Sequence, residues 1–274
     1  MSESFCRGLS EVSYQIYGMI PAHERGPFTS HTVNPLKSIA LATLPRSVVE
    51  LIALYRNRTF LGDGLLTFHT ADFLRDPKFM HAYELGKATG SWNGSDPVWR
   101  VNVACWAARH ALSLPGDFVE CGVNRGGMAR AIVEYTDFGR FTDRRFFLLD
   151  TYKGHPDVAQ PNRASYEECY TDVVKTFLPF PNVKIVRGLI PDTLSEVDSQ
   201  KVCYLSIDMN HAPPEIAAAR FFFPKLMSGA VVLLDDYAFS EAYRPQKTAF
   251  DDLASELGFS ILSLPTGQGM IIKT

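Results

Sequence analysis

The sequence has little of what marks secreted or membrane-spanning proteins. No two of its cysteines form a C-x-x-C pair, and they are too scattered for a disulfide framework, so free thiols in a reducing cytoplasm are expected. These residues are Cys6, Cys105, Cys121, Cys169 and Cys203. The longest apolar stretch, residues 38–55, is interrupted by Pro45, Arg46 and Glu50 and is too short and broken to span a bilayer. The polar N-terminus lacks the apolar core of a signal peptide. A cytoplasmic protein without membrane contact is therefore predicted.

An excess of charge of either sign is also missing. Lys and Arg number 27 against 30 Asp and Glu, which gives a net charge of −3. A dedicated nucleic-acid-binding protein normally has a basic face and a high pI, so that class is not expected. The chain is 46% hydrophobic and 21% charged, a composition that excludes dominant disorder. Its 274 residues fit one large domain or two small ones.

The pattern of the chain changes near residue 115. Before that point, apolar residues at three- and four-residue spacing predict helices over Leu44–Tyr55 and Pro97–Leu112. Residues 60–95 are rich in Gly, Asp, His and aromatic residues, and an irregular segment facing the substrate is predicted there. We therefore expect an N-terminal extension, 1–95, that forms the acceptor site and a lid, followed by a core domain, 96–274.

After residue 115, short apolar runs alternate with amphipathic ones. Predicted strands cover 117–123, 145–151, 183–188, 202–208 and 230–236, and predicted helices cover 127–135, 166–178, 214–227 and 246–257. The strands are apolar on both faces, as in a parallel sheet covered by helices. The alternation predicts an α/β doubly wound fold.

The C-terminal segment breaks this alternation. Two strand-like runs, 259–265 and 270–274, are separated by only Thr-Gly-Gln-Gly. That link is too short for a crossover helix, so the runs must pair as an antiparallel hairpin. An NAD-linked oxidoreductase, which is one alternative function, would instead end on a parallel strand.

The motif Glu120-Cys-Gly-Val-Asn-Arg-Gly-Gly127 lies where a predicted strand meets a helix. It has neither the spacing of a dinucleotide-binding loop nor that of a phosphate-binding loop. Gly122 and Gly126 allow the backbone to approach a ligand, although a plain tight turn is an equal alternative. Asp150 ends the next strand, where a carboxylate can bind a ribose diol or simply cap a loop; beside the Glu120 loop, the ribose role is favoured.

Three carboxylates end two later strands. Asp208 closes the predicted fourth strand, and Asp235 and Asp236 close the fifth. Parallel strands bring their carboxyl ends together at the crevice where ligands bind, and converging carboxylates repel one another unless they are neutralised. Oxygen-only ligands suit a hard cation such as Mg²⁺, or Mn²⁺ or Ca²⁺. Solvated strand-end acids or helix caps are the alternative.

Five ordered motifs together carry a resemblance. The runs PGDFVECGVNRGG, LLDTYKG, RGLIPDTL, SIDMN and LLDDY resemble the macrocin O-methyltransferase family over about residues 90–274. The resemblance implies a class I methyltransferase fold, which ends in a hairpin, and S-adenosylmethionine (SAM) as cofactor. It implies methylation of a hydroxyl on a small-molecule acceptor, often a sugar of a natural product. It also implies a homodimer or higher homo-oligomer.

The resemblance also implies site residues. The cofactor would be bound by Glu120, Gly122, Asn124, Gly126, Gly127, Asp150, Gly188, Asp192, Thr193 and Asp208. Mg²⁺ would be held by Asp208, Asp235 and Asp236. Ser91 and Trp92, which precede a predicted helix, are further candidates for cofactor contact.

One position departs from the family. Asn210 stands where the family usually has a second Asp, proposed as general base, and an amide cannot take a proton. His211 follows, three residues after Asp208, where related catechol-type methyltransferases keep a basic Lys. We expect catalysis by Asp208 and His211; the alternatives are water or another residue as base, and a purely structural role for His211. There are two alternative functions: methylation of a catechol or polyphenol acceptor, and SAM binding without catalysis.

Overall fold

The computed structural model describes residues 58–92, 94–154 and 166–274, with five isolated residues between 45 and 55. Residues Asn57–Thr274 form one compact unit. The predicted helix Leu44–Tyr55 lies mostly outside the described residues. The predicted functional division after residue 95 stays a prediction.

The described residues from 58 onward contain two sheets and six α-helices. The strands are β1 (Phe60–Gly62), β2 (Leu65–Thr67), β3 (Asp117–Cys121), β4 (Phe146–Asp150), β5 (Val183–Arg187), β6 (Val202–Ile207), β7 (Leu226–Leu234), β8 (Leu262–Ser263) and β9 (Gly269–Ile272). The helices are α1 (Pro77–Lys87), α2 (Val98–Ala111), α3 (Gly127–Tyr135), α4 (Tyr170–Phe177), α5 (Ala212–Phe222) and α6 (Arg244–Leu257). The main sheet has the order β5-β4-β3-β6-β7-β9-β8, and β1 pairs with β2 in a separate hairpin.

Among the five parallel strands β3 to β7, the inner strands β3, β4 and β6 are buried on both faces, as is the second half of β7. The edge strand β5, in contrast, exposes Lys184 and Arg187. Side chains alternate along each strand, so Phe118 belongs to one apolar core and its neighbour Val119 to the other. Helices α1 to α4 contribute to the first core, and α5 and α6 contribute to the second. The two covered faces explain why the strands are nearly continuous apolar runs, and the predicted α/β fold class is confirmed.

The C-terminal hairpin is present as predicted. Strand β9 pairs antiparallel with β7, with Val231 opposite Ile272, and β8 pairs antiparallel with β9. The final strand is therefore not parallel, which contradicts the NAD-linked alternative. No helix in the described part of the chain is both long and apolar enough to cross a membrane.

Some predicted segments differ from the structure. The helix predicted over 166–178 covers only Tyr170–Phe177. The helix predicted over 214–227 runs from Ala212 to Phe222 and gives way to a 3₁₀ turn, Phe223–Lys225, because Pro224 removes an N–H and disfavours helical backbone at the residue before it. Residues 60–95 are not wholly irregular, because they form β1, β2 and α1. Asp76 caps α1 by accepting a hydrogen bond from the Lys78 amide at 2.9 Å, a start signal that the sequence analysis missed.

The carboxyl ends of β3 and β6 approach each other at Gly122. The Asp208 amide donates to the Cys121 carbonyl at 2.8 Å, and the φ of Gly122 is 90°. A Cβ at Gly122 would lie 1.8 Å from the Asp208 carbonyl oxygen. The glycine is thus required by a neighbouring strand end, in addition to any ligand.

Gly122→Ala tests this close approach, with Gly258→Ala as the matched control. Gly258 also has a positive φ, 72°, but nothing lies within 4 Å of its Cβ position. The control carries only backbone strain of about 1 kcal/mol. We expect Gly122→Ala to lower the free energy of unfolding by at least about 2 kcal/mol more, measured by urea unfolding. Equal losses would show that the two strand ends do not constrain this position.

Candidate active site

One cavity of about 430 Å³ lies at the carboxyl ends of the central parallel strands. Its wall includes Gly122 after β3, Asp150 at the end of β4, Asp208 after β6 and Asp235 after β7. The chain passes from β3 to β4 on one side and returns to β6 on the other, so the cavity lies where the strand order reverses. This is the usual ligand position in open α/β sheets.

Asp150 holds the loop that follows β3. Its Oδ2 accepts the backbone N–H of Val123 at 2.6 Å and of Asn124 at 2.7 Å. Its Oδ1 accepts the N–H of Tyr152 at 2.7 Å. The carboxylate therefore fixes the loop backbone against the end of β4 while it lines the cavity. The ribose contact of Asp150 stays a prediction.

Glu120 is a buried acid in the cavity wall. Its residue is 2% exposed, and Oε2 has no hydrogen-bond partner among the described residues. Burial raises the pKa of Glu120 well above its usual range, and the charges of Asp235 and Asp150 add to that increase. A buried acceptor without a donor is rare in folded proteins, so a ligand with an N–H or O–H donor fits this position.

Five sequence-predicted site residues do not line the cavity in the described part of the chain: Gly126, Gly127, Asp192, Thr193 and His211. The first two begin helix α3; a Cβ at Gly126 would lie 2.7 Å from the Phe177 ring, and the Gly127 amide donates to Ser91 Oγ at 2.8 Å. The other predicted cofactor residues, Asn124 and Gly188 included, do line it, as do Ser91 and Trp92. Ligand contact remains a prediction for both groups.

Glu215 holds the loop that follows Asp208. Its carboxylate accepts the Met209 N–H at 3.1 Å and also the backbone N–H groups of Asn210 and His211. The side-chain amide of Asn210 donates to Asp208 Oδ1 at 3.3 Å. Burial nevertheless raises the pKa of Glu215 to about 7. No motif or spacing in the sequence marked Glu215, which orders the segment from Asp208 to the first turn of α5.

The three strand-end carboxylates share the cavity wall. Asp208, Asp235 and Asp236 all line it, and the last two are 6% and 9% exposed. Burial and the negative charges of Asp235 and Asp236 raise the pKa of Asp208 well above its usual range. Burial and the charge of Asp235 raise the pKa of Asp236 to about 8. The cluster is crowded with like charge.

Arg100 reaches this cluster from α2. Its Nε and Nη2 donate to the two carboxylate oxygens of Asp63 at 2.6 and 2.9 Å, and its Nη1 donates to Asp235 Oδ2. Gln268 Nε2 donates to Asp235 Oδ1 at 2.9 Å. The guanidinium carbon lies 4.9 Å from the centre of the Phe239 ring. The position of this arginine within the apolar run VWRVNVACW is the one signal for this role in the sequence.

A divalent cation fits the cluster in its chemistry. The available metal ligands are carboxylate oxygens, with the amide of Asn210 beside them. The carboxylates repel one another, and a hard cation would relieve that repulsion. Both oxygens of Asp235, however, already accept hydrogen bonds. Among residues 58–92, 94–154 and 166–274, no three His, Cys, Asp or Glu side chains are grouped closely enough to hold a metal ion. The donor chemistry therefore suits the cation, but the described positions of Asp208, Asp235 and Asp236 do not form a ready site for it, and the metal ligands stay a prediction.

The family model of the macrocin O-methyltransferases (TylF) matches residues 102–256, more than half of the chain. The chain belongs to this family. The resemblance of the motifs is thereby confirmed.

Three curated proteins with similar sequences are named as O-methyltransferases. Demethyldecarbamoylnovobiocin O-methyltransferase of Streptomyces niveus is 28% identical over 170 residues, which cover 53% of this chain and 63% of the relative. Mycinamicin III 3''-O-methyltransferase of Micromonospora griseorubida is 26% identical over 145 residues, or 45% and 56%. A tetracenomycin-C 4'-O-methyltransferase of Streptomyces olivaceus, whose substrate name includes a dimethoxyrhamnosyl group, is 26% identical over 144 residues, or 47% and 55%. The chain thus spans 55 to 63% of the length of these relatives.

Solved structures show the same fold. The O-methyltransferase NovP has a TM-score of 0.55 at 22% identity, with 65% of this chain and 80% of that chain covered. The SAH-bound methyltransferase PaMTH1 of Podospora anserina has a TM-score of 0.50 at 13% identity, with 90% and 100% covered. At these identities the comparison supports the class I methyltransferase fold alone.

Glu215→Gln tests the burial of this carboxylate through the pH dependence of stability. The folded state keeps the Glu215 proton up to about pH 7, whereas the unfolded chain loses it near the ordinary value of 4.5. Native stability attributable to Glu215 is therefore lost as pH rises from 4.5 through 7. The unfolding free energy of the variant minus that of the native protein should increase by up to about 3 kcal/mol across this range.

Urea unfolding at pH 5 and pH 8, in EDTA, measures this difference. Glu256→Gln is the control, because Glu256 is an exposed partner of Arg220 and its pKa is lowered. The control should show no such rise. A pH-independent difference for Glu215→Gln would contradict the burial argument.

Proposed function

We propose that this protein transfers a methyl group from SAM to a hydroxyl of a small-molecule acceptor. The hydroxyl belongs to a sugar moiety of a natural product or glycan. The observation that carries the proposal is that one cavity is lined both by the loop after β3 and by the carboxylates after β6 and β7. The family and the names of the three curated relatives support O-methylation and this acceptor class. The expected homo-oligomer stays a prediction.

The cofactor side of the cavity is formed by the loop after β3. SAM, when bound, supplies an electrophilic methyl group on a sulfonium. The unpaired Oε2 of Glu120 is suited to accept a hydrogen bond from the amino group of its methionine part. Asp150 holds the amides of Val123 and Asn124 in place, so the loop is ordered before the ligand arrives. Gly188 and Leu189 form the wall proposed to face the adenine.

The acceptor side is formed by the acidic cluster and aromatic residues. Tyr166, Phe239 and Tyr243 line the cavity with the carboxylates, and aromatic faces pack well against the apolar faces of sugar rings. Mg²⁺ or a similar ion, when bound by Asp208, Asp236 and Asp235, supplies positive charge that lowers the pKa of a nearby hydroxyl.

The acceptor proton goes to a carboxylate in our proposal. Asp208 lines the cavity, whereas His211 does not, so the carboxylate is the candidate base that faces the acceptor side. Asn210 holds one oxygen of Asp208 through its amide and cannot itself take the proton. His211 begins α5 outside the cavity wall and is the alternative base.

His211→Ala tests the alternative base, and Asp208→Asn tests the Asp208 carboxylate in its two proposed roles, base and cation ligand, together. Methylation of a panel of glycosylated natural products is followed by mass spectrometry, and SAM binding by calorimetry. We expect Asp208→Asn to lower kcat at least about 100-fold while SAM still binds, and His211→Ala to change kcat less than about threefold. The reverse pattern would assign the proton to His211.

SAM titration with and without EDTA tests the proposal as a whole. We expect SAM to bind in both conditions and turnover to require a divalent cation. A protein that binds no SAM would contradict methyl transfer. A protein that binds SAM but methylates no sugar or catechol acceptor would instead be a SAM-binding protein without catalysis.

A further inference from the structure

Arg100 is a buried cation that makes three directed contacts. Its side chain is 14% exposed, and the Asp63 and Asp235 carboxylates that it joins are each 8% exposed. Asp63 lies in the turn between β1 and β2, so the arginine links this hairpin to the end of β7. The contacts with Asp63 are the bidentate fork that a guanidinium forms with a carboxylate.

The division of these contacts is unequal. Asp63 receives two N–H groups of the fork, whereas Asp235 receives only Nη1. If Nη1 left Asp235, the guanidinium would keep its bidentate partner and its stacking on Phe239. Arg100 can therefore release Asp235 without becoming an unpaired buried charge, which would be costly.

A cation that binds Asp235 meets two donors that already contact its oxygens. Oδ2 accepts from Nη1 of Arg100 and Oδ1 from Gln268, so a metal ion would share or displace one of these hydrogen bonds. A guanidinium and a divalent cation close to the same carboxylate also repel each other. The two are thus alternative counter-charges for one crowded cluster.

We propose that Arg100 is a resident counter-cation that competes with the divalent cation for Asp235 and so weakens metal binding to the empty enzyme. This inference rests on the proposed function, because it takes the cluster as the cation site. In the absence of metal, Arg100 keeps Asp235 paired. Metal binding at Asp235 moves the arginine onto Asp63 alone, which couples the β1–β2 hairpin to the state of the site.

Mn²⁺ binding to the protein without acceptor, followed by electron paramagnetic resonance of the free ion, tests the competition without any measure of turnover. Arg100→Met removes the competitor and should tighten Mn²⁺ binding at least about tenfold. Arg100→Lys keeps the charge and should stay within about threefold of the native protein. Asp63→Asn removes the charge that holds the arginine back and should weaken Mn²⁺ binding.

The double variant Asp63→Asn/Arg100→Met guards against misfolding, because it removes both members of the buried pair together. Circular dichroism checks the fold of each variant, and the double variant should also bind Mn²⁺ more tightly than the native protein. Asp236→Asn should weaken binding and thereby identifies the site that is being titrated.

The outcomes separate this inference from the proposed function. Native-like Mn²⁺ affinity in the folded double variant and in Arg100→Met would overturn the competition, while a loss in Asp236→Asn would keep the cation site. If no variant bound Mn²⁺, the competition and the cation site would both be wrong. The SAM titration would then still test methyl transfer independently.

Discussion

Mutual repulsion among buried carboxylates is the constraint on which the site depends. Asp208, Asp235 and Asp236 follow adjacent parallel strands, and the sheet brings them to one cavity with Glu215 close by. Separate elements supply the compensating donors. Arg100 reaches Asp235 from α2, Gln268 reaches it from the C-terminal hairpin, and backbone amides before α5 bind Glu215. Burial and, after it, the neighbouring negative charges raise the pKa of Asp208 and of Asp236, so the cluster stays suited to a further positive charge.

The fold also joins the two halves of the cavity. Gly122 follows β3 on the cofactor side. Its Cα lies so close to the carbonyl of Asp208, on the acceptor side, that there is no room for a Cβ. Because the two strand ends meet there, a methyl donor bound along the β3 loop would lie next to an acceptor bound at the carboxylates. In-line methyl transfer needs this kind of fixed juxtaposition, since orientation accounts for much of the rate enhancement in such reactions.

The sequence could predict the features that follow from periodicity and from strand ends. The parallel strands were apolar on both faces, the short link at residues 266–269 required a hairpin, and the acids after β6 and β7 had to share one edge. Arg100 could not be assigned, because its partners lie 37 and 135 residues away and leave no periodic signal. The same holds for Gly122. A side chain there is excluded by the end of β6, which lies much later in the chain. His211 was predicted from its spacing to Asp208, but spacing alone does not determine whether a residue faces the cavity.

The central claim is that one cavity holds the methyl donor over the β3 loop and a cation at the acidic cluster. Anomalous difference density from crystals grown with S-adenosylhomocysteine and Mn²⁺ tests it most directly. The account predicts a manganese peak at about 2.2 Å from oxygens of Asp208 and Asp236, with the amino group of the cofactor product within hydrogen-bond distance of Glu120. A cofactor product bound elsewhere, or a peak remote from these carboxylates, would contradict it.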